Sequence, residues 1–328
     1  MPRGHSRENR YSASLNQEKI MSNTVYIISG PTATGKSLIA YYLAKRIGGE
    51  IVNCDSVQLY RFMDIGSAKP SSKDMKRIPH HLYSIVDPKD SMTVARYQEL
   101  ALETIDDIIS RGKIPIVCGG TGLYLNSILY DMNFGASPDD DKRREELERL
   151  ADERGSEYMY QYLEALDPDA ATRIHPNNIR KVIRAIEAYE YGKGIGNLAD
   201  VKLNPGYDFR FFALNMDRDW LYDRINQRVI KLLNDGLVSE VKSLVDRGYS
   251  PDLPAMKAIG YKEIIAYLHG ECDMNVATEE IKKNTRHYAK RQITWLKRYD
   301  FVNWIEINKG ENVGNIVDRI LYYNQESK

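Results

Sequence analysis

The most informative stretch of the sequence is Gly30-Pro31-Thr32-Ala33-Thr34-Gly35-Lys36-Ser37, which matches the G-x-x-x-x-G-K-[ST] pattern of a phosphate-binding loop (P-loop). An apolar run at 24–28 precedes it and a helical pattern at 38–46 follows it, which is the context that the pattern requires. The glycines let successive N–H groups point inward, and the helix N-terminus adds partial positive charge. Lys36 supplies a point charge for phosphate and Ser37 a hydroxyl for Mg²⁺. We therefore expect a diphosphate or triphosphate to bind here, with Mg²⁺ as the cofactor.

Strand patterns alternate with helical patterns along most of the chain. Short apolar runs predict strands at 24–28, 50–54, 114–118, 209–214 and 302–307. Helices are predicted at 94–110, near 219–248 and at 278–299. Because strands that alternate with helices pair in parallel, the sequence predicts an α/β fold with a doubly wound parallel sheet of the P-loop NTPase-like kind.

The character of the sequence changes near residue 137. A charged helical region runs from there to about residue 191 with almost no strand pattern, and 192–206 is rich in Gly and Asn. We therefore predict an all-helical insertion in the α/β domain, followed by a return to the core and C-terminal helices. The predicted parts are a disordered tail at 1–20, the first part of the core at 21–136, the insertion at 137–205 and the second part of the core at 206–328.

Composition and charge narrow the functional classes. Lys+Arg and Asp+Glu both number 46, so no global field steers a polyanion, and a nucleic-acid binder needs a local basic face. No apolar run approaches the roughly 20 residues of a membrane helix, and the first 20 residues lack the apolar stretch of a secretory signal. A cytoplasmic protein without membrane contact is therefore expected. Cys54, Cys118 and Cys272 are far apart, which favours free thiols and argues against a zinc site.

One predicted helix carries a local basic face. Residues 282–298 contain seven Lys or Arg residues and no acidic residue. At roughly 100° per residue, four of them fall within an arc of about 60°. These four are Lys283, Arg286, Lys290 and Lys297. A one-sided stripe favours contact with a phosphate backbone, and a solvated charged face is the alternative.

Seven segments resemble the tRNA dimethylallyltransferase family, in the family's order and across nearly all of the chain after Met21. They are the P-loop; Asp55-Ser56-Val57-Gln58-Leu59-Tyr60-Arg61 with Met63-Asp64-Ile65-Gly66-Ser67-Ala68-Lys69-Pro70; Pro79-His80-His81-Leu82; Gly119-Gly120-Thr121-Gly122-Leu123-Tyr124; Asn177 with 180–187; Gly260-Tyr261-Lys262-Glu263; and Lys290-Arg291-Gln292-Ile293-Thr294-Trp295-Leu296. The resemblance implies that N6 of an adenosine attacks the first carbon of Mg²⁺-bound dimethylallyl diphosphate, and that pyrophosphate leaves. The implied acceptor is the adenosine 3′-adjacent to the anticodon, in tRNAs that read codons beginning with U.

The resemblance implies three catalytic residues, each with an alternative. Asp55 is the implied base for the N6 proton, while an Mg²⁺ ligand or a structural cap would also suit a carboxylate that follows a buried strand. Thr121 is implied to contact the adenosine or the diphosphate, and the alternative is a helix N-cap. Arg224 matches a family arginine that helps to hold the diphosphate, and the alternative is a solvated helix arginine.

The resemblance also implies a tRNA partner that presents its anticodon stem-loop with the target adenosine flipped outward. The implied tRNA contacts are Asp55, Ser56, Val57, Gln58, Thr121, Arg143, Arg144, Arg180, Lys181, Arg184, Lys257, Gly260, Tyr261, Lys262, Lys290, Arg291, Gln292, Thr294, Trp295 and Lys297. A monomer is expected. His80 and His81 are adjacent in an extended segment and so point to opposite faces, which favours structural roles over a shared metal ion.

The sequence departs from the family pattern at two places. The family carries a Thr-Gly-x-Pro-like turn where this chain has Tyr191-Gly192-Lys193-Gly194-Ile195-Gly196. The chain also lacks the C-terminal zinc finger of eukaryotic relatives, which favours a bacterial-type enzyme.

Three other functions stay open on the sequence alone. An adenylate prenyltransferase would use free AMP or ADP, but it would need neither the insertion nor the basic stripe. A P-loop kinase acting on a small molecule would consume ATP. A non-catalytic RNA-binding protein would not need Lys36, Asp55 and Thr121 together.

Overall fold

The computed structural model describes residues 23–132, 141–190 and 201–326. Within these residues, six strands form one sheet: β1 (Thr24–Ser29), β2 (Glu50–Cys54), β3 (His80–His81), β4 (Pro115–Gly119), β5 (Asp208–Asn215) and β6 (Asn303–Glu306). The strand order is β3-β2-β4-β1-β5-β6, and every neighbouring pair is parallel. The predicted α/β class with a parallel sheet is therefore confirmed.

Helices connect the strands. In chain order the described helices are α1 (Lys36–Ile47), α2 (Ser72–Arg77), α3 (Val94–Ser110), α4 (Gly122–Leu129), α5 (Asp141–Leu166), α6 (Pro168–Arg173), α7 (Ile179–Glu190), α8 (Arg218–Asn234), α9 (Leu237–Asp246), α10 (Tyr261–Leu268), α11 (Met274–Leu296) and α12 (Val313–Glu326). The predicted helix at 94–110 and strand at 50–54 have the observed bounds. The sequence analysis did not predict β3, α2, α10 or α12; two residues of strand and single short helices give almost no periodicity, whereas α12 has 14 residues. No described helix is both long and apolar enough to cross a membrane.

The chain divides into two compact units. One combines the chain up to Leu129 with Asn204–Lys328 and contains the sheet, and the other is Tyr130–Leu203. The second unit contains α5, α6 and α7 around its own apolar cluster, which includes Leu147, Met159 and Val182. The predicted insertion at 137–205 encloses the same three helices. The predicted tail at 1–20 and the departure at 191–196 lie outside the described residues.

The core of the first unit lies against the central strands. β1 is buried from its second residue onward, and β2 and β4 are buried throughout, as expected for parallel strands covered on both faces. Side chains such as Ile28, Ile116 and Phe212 pack with Leu43 of α1. Because all strands run the same way, the segments that follow β1, β2 and β4 meet at one edge of the sheet. This edge receives the P-loop after β1, Asp55 after β2 and Thr121 after β4.

The two histidines and the cysteines have structural surroundings. The ring of His81 lies 2.7 Å from Glu50 Oε2, and Nδ1 of His80 lies 2.7 Å from the Ile78 carbonyl oxygen. Among the described residues, no group of three or more His, Cys, Asp or Glu side chains is arranged to hold a metal ion. All three cysteines are free, and burial raises the pKa of the Cys118 thiol to about 12.

Candidate active site

The P-loop has a backbone that few residues other than glycine can adopt. Gly30 has φ of 140° and Gly35 has φ of 94°, both in the region that disfavours side chains. A Cβ on Gly30 would also lie 2.6 Å from the carbonyl oxygen of Leu214 on β5. Inside the loop, the Thr34 hydroxyl donates a hydrogen bond to the Pro31 carbonyl at 2.8 Å. The loop is therefore fixed both by its own turn and by the neighbouring strand.

Lys36 is a partly buried cation at the start of α1. Its Nζ donates a hydrogen bond to the Pro31 carbonyl at 2.8 Å. Burial lowers the pKa of Lys36 to about 8; repulsion by Arg228 adds to this, while the Cys118 and Asp55 groups act in the opposite direction. An ammonium group held in this way is stabilised by any anion that enters the loop.

Two arginines of α8 lie at the same place. The Arg224 Nε donates a hydrogen bond to the Ala33 carbonyl of the P-loop at 2.8 Å, and its guanidinium lies 5.6 Å from the Trp220 ring centre. Burial lowers the pKa of Arg228; the charge of Asp55 opposes this shift and the charge of Arg224 adds to it. Arg228 was not among the predicted site residues. The sequence feature that indicates Arg228 is its i, i+4 spacing from Arg224, because this spacing places both side chains on one face of a helix.

Asp55 follows β2 and is partly buried. Its Oδ1 accepts hydrogen bonds from the N–H groups of Val57 at 2.9 Å and Gln58 at 3.4 Å, so this oxygen caps a turn. Its Oδ2 accepts no hydrogen bond from the residues that the structure describes. The structural-cap interpretation therefore accounts for one oxygen and leaves the second available to a proton or a metal ion.

Thr121 links the segments that follow β4 and β2. Its Oγ1 accepts a hydrogen bond from the Ser56 N–H at 3.0 Å, and its own N–H donates to the Cys54 carbonyl at 3.2 Å. Tyr288 of α11 lies near Thr121, and burial raises the pKa of its phenol. The hydroxyl of Thr121 is thereby held beside the turn that Asp55 caps.

A loop after this turn is held by one carboxylate of α9. Glu240 accepts hydrogen bonds from the N–H groups of Asp64 at 2.8 Å, Ile65 at 2.7 Å and Gly66 at 3.0 Å, and from the Tyr261 hydroxyl at 2.7 Å. A Cβ on Gly66 would lie 2.5 Å from the Tyr261 ring. Tyr261, a predicted tRNA contact, is fully buried here and supports the loop.

The same loop lines a cavity of about 670 Å³. Its walls combine apolar side chains, including Ile65 and Leu232, with the cations Lys69 and Arg228. Lys69 is held in place by Asp64 Oδ1 at 2.7 Å, by Ser84 Oγ at 2.8 Å and by the Tyr60 carbonyl. Lys69 is paired with Asp64, whereas Arg228 forms no ion pair among the described residues, so the apolar wall beside Arg228 suits a ligand that joins a short hydrocarbon to an anion.

The basic stripe of α11 is divided into two parts. Lys282 and Lys283 form ion pairs with Glu279 at 2.8 Å and Glu280 at 3.0 Å, and Arg286 donates to Asn226 Oδ1 at 2.7 Å. Farther along the chain the exposed residues are Lys290, Arg291, Thr294, Lys297 and Arg298. The open basic surface is therefore limited to the C-terminal end of the helix.

Two predicted tRNA contacts of α11 face the protein interior. Gln292 is buried, and its amide is hydrogen-bonded to Thr32 and to Gly120. Trp295 packs against Gly122, where a Cβ would lie 2.4 Å from the indole ring, and its Nε1 donates to the Tyr299 hydroxyl at 3.0 Å. Membership of a sequence motif did not indicate which way these side chains point.

The other predicted contacts of the core are a mixture of buried and exposed groups. Gln58 is buried and its Nε2 donates to the Ser67 carbonyl at 2.9 Å. Gly260 has φ of 95° and its N–H donates to Glu263 Oε2 at 2.7 Å, which caps α10. Lys257 is exposed, and Lys262 Nζ lies 3.7 Å from Glu263.

The basic residues of the second unit differ in their pairing. Arg143 forms two hydrogen bonds with Glu190, at 2.8 and 2.6 Å. Arg144 lies 2.9 Å from Glu187, and Arg184 lies 3.3 Å from the same carboxylate. The remaining predicted contacts, Arg180 and Lys181, are exposed, and neither forms an ion pair within the described part of the chain.

Comparisons with known proteins agree with one another. The family model described as IPP transferase matches residues 58–299, and that described as isopentenyl transferase matches 23–90. A tRNA dimethylallyltransferase of Thermoanaerobacter sp. (strain X514) is 47% identical over 308 residues, covering 92% of this chain and 98% of that protein. The crystal structure of a tRNA isopentenylpyrophosphate transferase from Bacillus halodurans is similar, with 40% identity, a TM-score of 0.69 and coverage of 93% and 96%. A structure of a eukaryotic dimethylallyltransferase acting on tRNA has 30% identity, a TM-score of 0.75 and coverage of 87% and 74%.

Proposed function

This chain belongs to the family of tRNA dimethylallyltransferases and transfers a prenyl group to a tRNA adenosine, and we propose how its residues carry out that transfer. The proposed donor is dimethylallyl diphosphate. The proposed acceptor is N6 of the adenosine 3′-adjacent to the anticodon, in tRNAs that read codons beginning with U. The observation that carries the proposal is the meeting, at one edge of the sheet, of a cationic phosphate loop with a carboxylate that has one open oxygen.

The diphosphate binds to the P-loop in this proposal. The loop amides, Lys36, Arg224 and Arg228 surround it; Arg224 is hydrogen-bonded to the loop, and the charge of Arg228 acts on Lys36. As the bond between the first prenyl carbon and the diphosphate oxygen breaks, negative charge grows on the leaving pyrophosphate. Fixed cations stabilise that charge most in the transition state, which accelerates the reaction.

The proposed cofactor is Mg²⁺. Ser37 is an exposed residue that follows Lys36 in the first turn of α1, and a hydroxyl oxygen fits a small, hard cation. Bound there with diphosphate oxygens, the ion would neutralise part of the charge on the leaving group.

The acceptor adenosine reaches Asp55 in this proposal. Its N6 forms the new bond to the prenyl carbon and loses a proton, which Asp55 Oδ2 accepts while Oδ1 keeps the carboxylate oriented through Val57 and Gln58. Thr121 lies beside the base as a hydrogen-bonding partner. Lys290, Arg291 and Lys297 are exposed cations that suit the tRNA backbone, and a flipped base is needed because a stacked one cannot reach a recessed donor.

Transfer of label from radiolabelled dimethylallyl diphosphate tests the proposal. Unmodified tRNA, AMP and ADP are offered in parallel with Mg²⁺, and the labelled product is digested to nucleosides. We expect label in tRNA, on the adenosine 3′ of the anticodon. Label only in AMP or ADP would indicate an adenylate prenyltransferase, and consumption of ATP without any label would indicate that the P-loop serves a nucleotide. A monomeric state and a cytoplasmic location stay predictions from the sequence.

A further inference from the structure

One side-chain amide joins the two loops that the proposed reaction brings together. Gln292 of α11 is 5% exposed. Its Oε1 accepts a hydrogen bond from the N–H of Thr32 at 2.8 Å, and its Nε2 donates one to the carbonyl of Gly120 at 3.0 Å. Thr32 belongs to the P-loop, and Gly120 directly precedes Thr121. A single planar group therefore sets the separation between the donor loop and the acceptor loop.

The chemistry of this junction requires a primary amide. One partner is a donor and the other is an acceptor, and an amide supplies the complementary atom to each. A hydrocarbon of the same shape would leave both backbone groups buried without partners, and a carboxylate would repel the Gly120 carbonyl. Gly120 has no room for a side chain, because a Cβ there would lie 2.1 Å from Gln292 Nε2. The close approach of α11 to this loop therefore depends on both residues.

The same helix carries the proposed tRNA surface. Lys290 and Arg291 precede Gln292 and are exposed, while the amide of Gln292 points the other way, into the site. One turn later, Trp295 packs on Gly122, so α11 contacts the acceptor loop a second time. Gln292 thus lies between the proposed tRNA surface of α11 and the P-loop, and its side chain belongs to neither proposed binding surface.

We propose that Gln292 is a positioning residue for prenyl transfer, which holds the P-loop and the Thr121 loop at the separation that aligns the prenyl carbon with N6. The role rests on the proposed function. Displacement at carbon needs the attacking nitrogen, the carbon and the leaving oxygen in line, and a misplacement of about 1 Å costs on the order of 100-fold in rate. Gln292 acts through Thr32 and Gly120 and touches neither substrate. Its loss therefore lowers the rate of the bound complex and leaves the affinities nearly unchanged.

The first arm of the test uses Gln292→Met, which keeps the length of the side chain and removes both hydrogen bonds. Three quantities are measured: the single-turnover rate at saturating substrates, the Kd for tRNA and the Kd for Mg²⁺-pyrophosphate. We expect the rate to fall roughly 30- to 100-fold while each Kd stays within about 3-fold of wild type. Gln161→Met, an exposed site on α5, is the matched control and keeps the wild-type rate.

Three results would overturn the role. A higher Kd for tRNA with an unchanged saturating rate would make Gln292 a tRNA contact. Equal losses in the rate and in both affinities, with a lower Tm, would make it a merely structural residue. A wild-type rate in Q292M would leave it no role in alignment. A wild-type enzyme that transfers no prenyl group to tRNA would instead overturn the proposed function, and this role with it.

The second arm uses Gln292→Glu and keeps the test decisive if Q292M does not fold. A protonated glutamic acid has the shape of glutamine, with a carbonyl for Thr32 and an O–H for Gly120, and both of those contacts are uncharged backbone groups. The rate of Q292E, divided by the wild-type rate at the same pH, should rise at least about 10-fold as the pH falls from about 8 to about 5.5, because protonation restores the donor. A ratio that stays constant and far below one over this range would contradict the proposal.

Discussion

Two basic residues of the α/β core and two of the helical insertion have opposite surroundings. In the core, burial lowers the pKa of Lys36 and of Arg228, and no ion pair joins either of them to a carboxylate among the described residues. In the insertion, Arg143 and Arg144 are each paired with a glutamate of α7, at 2.6 and 2.9 Å. Partly buried cations that form no ion pair are stabilised by an anion from outside the protein, whereas paired arginines already have a counter-charge. The surroundings of Lys36 and Arg228 are therefore suited to receive a diphosphate, and the charges of Arg143 and Arg144 are used within the insertion.

The largest effect that would sharpen this contrast is expected from Lys36→Met. The substitution keeps an unbranched side chain and removes the cation that faces the leaving group. Turnover should fall about 1000-fold, the upper end of the loss seen when one transition-state donor is removed. Lys181→Met on the exposed face of α7 is the matched control and should change turnover by less than about 2-fold. Similar losses in the two variants would break the contrast.

The next largest effect is expected from Asp55→Asn. Asparagine can still accept the hydrogen bonds from Val57 and Gln58, so the turn should persist while the base is lost. Turnover should fall at least about 100-fold with the Kd for tRNA nearly intact, as removal of a general base commonly does. Rescue of D55N by millimolar Mg²⁺ would instead indicate a metal ligand, and near-normal turnover would remove Asp55 from the mechanism.

A smaller effect is expected from pH. Because burial lowers the pKa of Lys36 to about 8, the ammonium is present below that pH and is lost as the pH rises through it. The affinity for pyrophosphate should therefore be about 10-fold weaker at pH 9 than at pH 7. Calorimetric titration across this range measures it, with Lys36→Arg as the control because a guanidinium stays charged throughout. An equally steep decline in the arginine variant would assign the effect to another group.

The smallest effects are expected within the insertion. Arg180→Glu with Lys181→Glu should raise the Kd for tRNA about 5-fold and reduce its salt dependence, because both residues are exposed and unpaired among the described residues. Arg143→Gln with Arg144→Gln should change that Kd by less than about 2-fold. The double substitution should also lower the Tm, because Glu187 is only 5% exposed and would be left with Arg184 as its one remaining ion-pair partner among the described residues. A reversed order of the two double variants in tRNA binding would show that the paired arginines open to meet the tRNA.

The fold was predictable where the sequence has long, regular patterns. β2 and α3 have their predicted bounds because a short segment centred on Ile51 and Val52 and an amphipathic repeat that ends at a stop signal are local features. β3 has two residues, and its pairing with β2 depends on the sheet rather than on its own composition. Sequence reasoning therefore found the elements that specify themselves and missed those that depend on neighbours.

The site was predictable in its residue types and less so in the directions of its side chains. Arg228 could have been found from its i, i+4 spacing with Arg224, had that helix face been examined as a unit. The inward orientation of Gln292 and Tyr261 could not have been predicted, because a motif gives no sign of which side chains point inward. The ion pair of Arg143 with Glu190 joins residues 47 positions apart, which no local pattern reports.

Binding of Mg²⁺-pyrophosphate to the wild type and to Arg228→Met tests most directly the claim that the unpaired cations of the core form the donor site. Calorimetry gives the Kd of each protein, and the Kd for tRNA is measured beside it. We expect the substitution to weaken pyrophosphate binding at least about 10-fold and to leave tRNA binding within about 3-fold, because one buried, charge-assisted contact is lost. Equal pyrophosphate affinities, or a loss confined to tRNA, would contradict the account.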